Sequence, residues 1–148
     1  MTRDLEFCRF LDAWGVQWNE LDSAASIEAE GEWRRTYGQA FFNRSRARAG
    51  SKAEHAYRAE SCEHYLVVPF SSNVDGLPIR VLGPSLAAYE CRGPLVDFSE
   101  FHNVELFVSP TDFGWTMVYT HEDHGLGGPY FHRRAWLGNG ADEQRDAP

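Results

Sequence analysis

The stretch "FHNVELFVSPTDFGWTMVYTH", residues 101–121, decides the fold class. Its two halves, "FHNVELFVSP" and "GWTMVYTH", are rich in Val, Phe, Trp, Tyr and Thr, the side chains that fit a pleated, half-buried surface. Between them "SPTDFG" supplies turn residues, so the stretch reads as two antiparallel strands joined by a tight connection. The same texture extends outward in both directions. Downstream, "PYFHRRAW" (129–136) adds a further strand. Upstream, "HYLVVPF" (64–70) is a buried-strand candidate with Pro69 at its end or on an edge. "SSNVDGLP" (71–78) holds an Asp-Gly turn signal, and "PIRVLG" and "SLAAYECRG" are two more short strands.

Before residue 61 the apolar period changes. Leu5, Phe7, Cys8, Phe10, Leu11, Trp14 and Trp18 recur at spacings of three and four, which predicts a first helix near the start, with Thr2 as N-cap and Gly15 as its end. A second helix begins at "LDSAAS", capped by Asp22 or Ser23, with Ile27, Trp33, Tyr37, Ala40 and Phe41 as a broken apolar stripe. Gly31 and Gly38 each cost such a helix about 1 kcal/mol relative to Ala. The segment from Asn43 to Ser61 is polar and Arg-rich. It reads as an exposed loop, or as a short helix after Gly50 carrying Ala53, Ala56 and Tyr57. The expectation is a single α+β domain over residues 1–148: two N-terminal helices (about 1–60), a mainly antiparallel sheet of five or six strands (about 61–137) and a polar tail (138–148).

Composition sets limits on function. The 148 residues are 43% hydrophobic and 14% aromatic, enough to build a core. Twenty-two acids against 14 bases give a net charge of -8, which disfavours nucleic acid and suits a basic protein partner. The bases concentrate in residues 31–60, where seven of them meet three acids. Cys8, Cys62 and Cys91 are odd in number and lack C-x-x-C spacing, so reduced thiols are expected. The N-terminus carries acids where a secretory signal needs an apolar run. No stretch approaches the roughly 20 apolar residues of a membrane helix. These points predict a soluble, cytoplasmic protein, bacterial in character, with no membrane partner.

Strong catalytic motifs are absent: the chain has no P-loop, no G-x-S-x-G, no H-E-x-x-H and no C-x-x-C. Three weaker constellations remain. "GLGGP" (125–129) is followed by a strand-like run rather than by a helix whose amides could face phosphate, so its glycines read as turn residues. Cys62 lies two residues from His64, the arrangement a nucleophilic thiolate would use, and equally that of a buried thiol. The densest cluster is "YTHEDHGLGGPYFH" (119–132). His121, Asp123, His124 and His132 could converge on a metal, or the tract could be a polar hairpin tip. Register decides. If His121 faces Pro129, His132 faces Val118 and points to the opposite side. If His121 faces Tyr130, His132 pairs with Tyr119 on the face of His121. Glu122 and Asp123 are adjacent and diverge on a strand, which weakens a paired-carboxylate site.

The tract "SPTDFGWTMVYTHEDHGLGGPYF", residues 109–131, resembles a pattern in a small bacterial family of unassigned activity, where it reads as a hairpin. In size, acidity and lack of catalytic motifs the chain resembles, by type only, the immunity proteins of bacterial toxin systems. The leading expectation is therefore a non-enzymatic acidic binding protein without a cofactor, an immunity-like inhibitor of a basic toxin or another cationic protein. Glu105, Asp112, Trp115, Tyr119, Glu122, Asp123 and Tyr130 are its expected binding surface. The alternative is a small metal-binding protein or metal-dependent enzyme built on the His121-Asp123-His124 hairpin, with His132.

Overall fold

The structure is a computed structural model and describes residues 2–43, 47–69, 72–74, 77–79, 87–100, 106–119 and 128–137. Helix α1 (Thr2–Ala13) leads through Gly15 to strand β1 (Gln17–Glu20). Then come α2 (Ser23–Asn43), the two-residue strand β2 (Arg48–Ala49) and α3 (Ser51–Arg58). The remaining strands are β3 (His64–Pro69), β4 (Ser72–Val74), β5 (Leu77–Ile79), β6 (Tyr89–Arg92), β7 (Leu106–Pro110), β8 (Trp115–Tyr119) and β9 (Tyr130–Arg133). Among the described residues no helix is long and apolar enough to cross a membrane.

Seven strands form one antiparallel sheet in the order β1-β6-β3-β7-β8-β9-β2, and β4 pairs with β5 alone. The α+β class is as expected, and the counts differ. Among the described residues there are three helices rather than two, and the main sheet has seven strands rather than five or six. Two of the additional strands, β1 and β2, lie within the first 60 residues, so that region is not purely helical. "QWNE" has too little apolar character to signal a strand, and "RA" is too short to show any period. Both are made by tertiary pairing, β1 on β6 and β2 on β9.

Helices cover both faces of the sheet, giving three layers. Alternate residues along each strand point to opposite sides. Tyr65, Val67, Cys91, Leu106, Val108, Trp115, Met117, Tyr119 and Phe131 form one core with Phe7 and Leu11 of α1 and with Ala53, Ala56 and Tyr57 of α3. Val68, Ala88, Phe107, Val118 and Tyr130 form the other with Ala29, Trp33 and Tyr37 of α2. All five residues of β8 are therefore buried, as are the first four of β7. Burial on both sides explains why these strands read as continuous apolar runs, a pattern commoner in parallel sheets.

Specific contacts fix the layers. The Asp22 carboxylate accepts the Ala25 amide at 2.8 Å and caps α2. The Trp33 indole lies flat on Phe107, centroids 4.6 Å apart, and donates to the Thr116 hydroxyl at 2.8 Å. Thr116 in turn donates to the Val108 carbonyl at 3.2 Å, so α2 is tied through β8 to β7. Tyr37 donates to the Phe113 carbonyl at 2.7 Å. Phe113 holds the β7–β8 turn with φ of 58°. On the other face the Trp18 indole of β1 donates to Asp12 of α1 at 2.9 Å. Gly93, at φ of 133°, passes so close to the turn between α1 and β1 that a Cβ there would lie 3.3 Å from the Gly15 carbonyl.

Thr116→Val removes the acceptor of a buried indole N–H and is expected to lower stability by about 1–3 kcal/mol, read from the urea midpoint. Ser109→Ala deletes a buried hydroxyl that has no hydrogen-bond partner among the described residues, and is expected to leave the midpoint unchanged or raise it. Equal midpoints for the two variants would show that the Trp33–Thr116 bridge is not a structural tie.

Candidate functional site

Of the residues expected to form a binding surface, Asp112, Trp115, Tyr119 and Tyr130 are among the described residues. Trp115, Tyr119 and Tyr130 are 5%, 2% and 6% exposed, so they belong to the two cores rather than to an open sheet face. Trp115 stacks on Phe131 at 5.7 Å and meets the edge of Tyr57 at 5.9 Å. Asp112 is exposed in the β7–β8 turn, where its carboxylate accepts the Gly114 amide at 2.9 Å. Glu105, His121, Glu122, Asp123 and His124 lie outside the described residues.

The β8–β9 register matches neither of the two pairings weighed from sequence. Thr116 pairs with His132, Met117 with Phe131 and Val118 with Tyr130. His132 therefore shares the α2 face with Thr116 and Val118, opposite Trp115, Met117 and Tyr119. It is fully buried, its ring 5.8 Å from Tyr37 and 5.5 Å from Trp136, with Nδ1 3.0 Å from the Arg133 carbonyl. Among the described residues no three His, Cys, Asp or Glu side chains are placed to hold a metal ion.

The Cys62–His64 pair does not assemble as nucleophile and base. The His64 imidazole lies 2.5 Å from Glu90 on the neighbouring strand β6. The Cys62 thiol donates instead to the His64 backbone carbonyl at 3.0 Å. Burial pushes the Cys62 thiol up, and the negative charges of Glu60, Asp112 and Glu63 push it further. A thiol held protonated is a poor nucleophile.

What the fold does assemble is a pocket of about 440 Å³ at one end of α3. Its aromatic wall is Trp14, Tyr57 and Tyr119, contributed by the end of α1, by α3 and by the last residue of β8. Tyr119 meets Tyr57 edge-on at 6.2 Å and Phe98 at 5.7 Å, so the wall is rigid. Pro94 and Leu95 supply an apolar rim. Two tyrosines hold that loop: Tyr57 donates to the Val96 carbonyl at 2.7 Å, and Tyr65 donates to the Pro94 carbonyl at 2.8 Å.

Beside one guanidinium, that of Arg58, four carboxylates border the aromatic wall: Glu54, Glu60, Glu63 and Asp97. Two are already engaged. Glu60 is ion-paired with Arg133, and Asp97 accepts the Ser99 amide at 3.0 Å and the Ser99 hydroxyl at 2.6 Å. Glu54 and Glu63 have no basic group within ion-pair distance among the described residues. Aromatic faces next to unneutralised carboxylates attract a cation, by ring quadrupole and by charge together. No single motif encodes this pocket. Its residues come from α1, α3, the α3–β3 connection, the loop after β6 and β8, and the nearest sequence signal is the acidic, aromatic spacing of "EHAYRAESCE" (54–63).

Comparison with protein-family models, with curated proteins and with solved structures finds no match to this chain.

The buried thiols and phenols predict alkaline sensitivity. Burial pushes Cys91 from 9.0 up to about 12, and the hydroxyls of Tyr37, Tyr57 and Tyr65 are likewise raised by burial. Each raised group favours the fold fully below its unfolded pKa, and that contribution is lost as pH rises through the folded value. Stability should therefore fall steadily above about pH 9 and be largely gone near pH 12, followed by circular dichroism. A flat profile to pH 12 would contradict the burial of these groups.

Proposed function

We propose that this chain is a non-enzymatic acidic binding protein for a basic protein partner, of the immunity-like kind that holds a cationic toxin. The pocket beside α3 is then its anchoring point and receives an Arg or Lys side chain of the partner. The observation that carries this reading is the pairing of the Trp14–Tyr57–Tyr119 wall with two unneutralised carboxylates, Glu54 and Glu63. A guanidinium could lie against an aromatic face while donating to a carboxylate at its edge. The chain's net charge of -8 would steer a basic partner at long range and raise its association rate.

This moves the binding surface from the sheet and hairpin residues expected at first to the flank of α3. It retains Tyr119, which contributes to the wall. Cytoplasmic location and the absence of catalysis remain parts of the proposal.

A labelled hexa-arginine peptide tests it by fluorescence anisotropy against the double variant Glu54→Gln/Glu63→Gln. Loss of both charges should weaken binding by about tenfold or more. The control Glu20→Gln/Glu28→Gln removes the same charge at exposed positions outside the pocket and should change affinity by less than about threefold. Equal weakening by the two double variants would mean that net charge, not the pocket, holds the peptide.

A further inference from the structure

Among the described residues, the basic side chains of 31–60 divide into two sets. Arg34 and Arg35 lie on α2 and are neutralised there: Arg34 meets Glu30 at 2.7 Å, and Arg35 meets Glu32 at 2.9 Å and Glu28 at 3.7 Å. Arg48, Lys52, His55 and Arg58 are different. Among the described residues no carboxylate lies within ion-pair distance of any of them.

These four side chains, with Ser51, line an open depression of about 560 Å³. Helical spacing puts Ser51, His55 and Arg58 on one flank of α3, with Lys52 beside them. Arg48 is brought to the same place by β2, whose residue Arg48 pairs with Phe131 of β9. Its guanidinium carbon lies 5.2 Å over the Trp136 ring, which holds the side chain in place. Its Nε is enclosed by protein without a hydrogen-bond partner among the described residues. Gly50 provides no side-chain cap at the start of α3, so the first amides of the helix add their partial positive charge to the same edge. Arg48, Lys52 and Arg58 bring like charges to one depression, and an anion would relieve their repulsion.

We propose that this depression is a binding site for a small phosphate compound carrying one or two phosphate groups. Arginine and lysine side chains together suit a multiply charged phosphate, the guanidinium by paired hydrogen bonds and the ammonium as a point charge. A small ligand fits better than nucleic acid. Among the described residues five border the depression, and the net charge of -8 repels a long polyanion. Helix α3 lies between this site and the cation pocket, and Arg58 borders both.

Isothermal titration of the full chain with inorganic pyrophosphate tests the proposal, with inorganic phosphate and a single-stranded 12-mer oligonucleotide as parallel titrants. Saturable pyrophosphate binding is expected in the micromolar-to-millimolar range. Lys52 is exposed, so Lys52→Glu should fold normally and weaken pyrophosphate binding by about tenfold or more, while Lys52→Arg retains it. Glu54→Gln/Glu63→Gln should leave pyrophosphate binding intact, which separates this site from the proposed cation pocket. Absence of saturable pyrophosphate binding would overturn the proposal, as would undiminished binding by Lys52→Glu. Tighter binding of the oligonucleotide than of pyrophosphate, lost in Lys52→Glu, would overturn the assignment to a small ligand.

Discussion

Strands β7 and β8 are dry on both faces, and the rest of the molecule follows from that constraint. Every side chain of Trp115–Tyr119 must find an apolar or hydrogen-bonding partner, because all five are buried. The one polar member, Thr116, is satisfied by accepting from Trp33 and donating to Val108. That arrangement requires α2 to lie across the sheet at Trp33, and requires α1 and α3 to close the opposite side. The aromatic richness of the chain is consumed in doing so. Rings that would be anchors in a partner surface are here the mortar between layers.

Among the described residues, the two charged pockets meet at α3. This helix is only eight residues long, and it is held by its apolar stripe of Ala53, Ala56 and Tyr57 and by its attachment to β9. The Gly50 amide donates to the Pro129 carbonyl at 2.9 Å, which fixes where the helix begins. One flank then carries carboxylates against rings, and the neighbouring flank carries bases around Arg48. Two opposite electrostatic characters are separated by the width of a single helix, in a protein whose net charge alone would suggest one.

Much of the sheet was legible in the sequence because its central strands are apolar along their whole length. "HYLVVPF" and "GWTMVYTH" announce themselves, as do the cap at Asp22 and the stop at Gly15. Strand β1 was not legible, since "QWNE" has a single apolar residue and depends on β6 for its existence. Helix α3 was ambiguous because its exposed face is as polar as a loop. The β8–β9 register could not be read, since nothing local encodes the pairing of Thr116 with His132. The histidine tract is dense in one short stretch, whereas the α3 pocket draws on four separated segments, none distinctive by itself. A site assembled by topology leaves no linear signature.

The two ends of the main sheet have a consequence of a different kind. Strand β1 has four residues, three of them exposed and polar, and β2 has two. An edge strand with a long run of free amides and carbonyls is a template on which another chain can add a strand and begin to aggregate. Here the outermost ladders end after so few residues that there is little to copy. The apolar middle of the sheet is thereby shielded from its own neighbours in solution, and contact with other molecules is left to side chains.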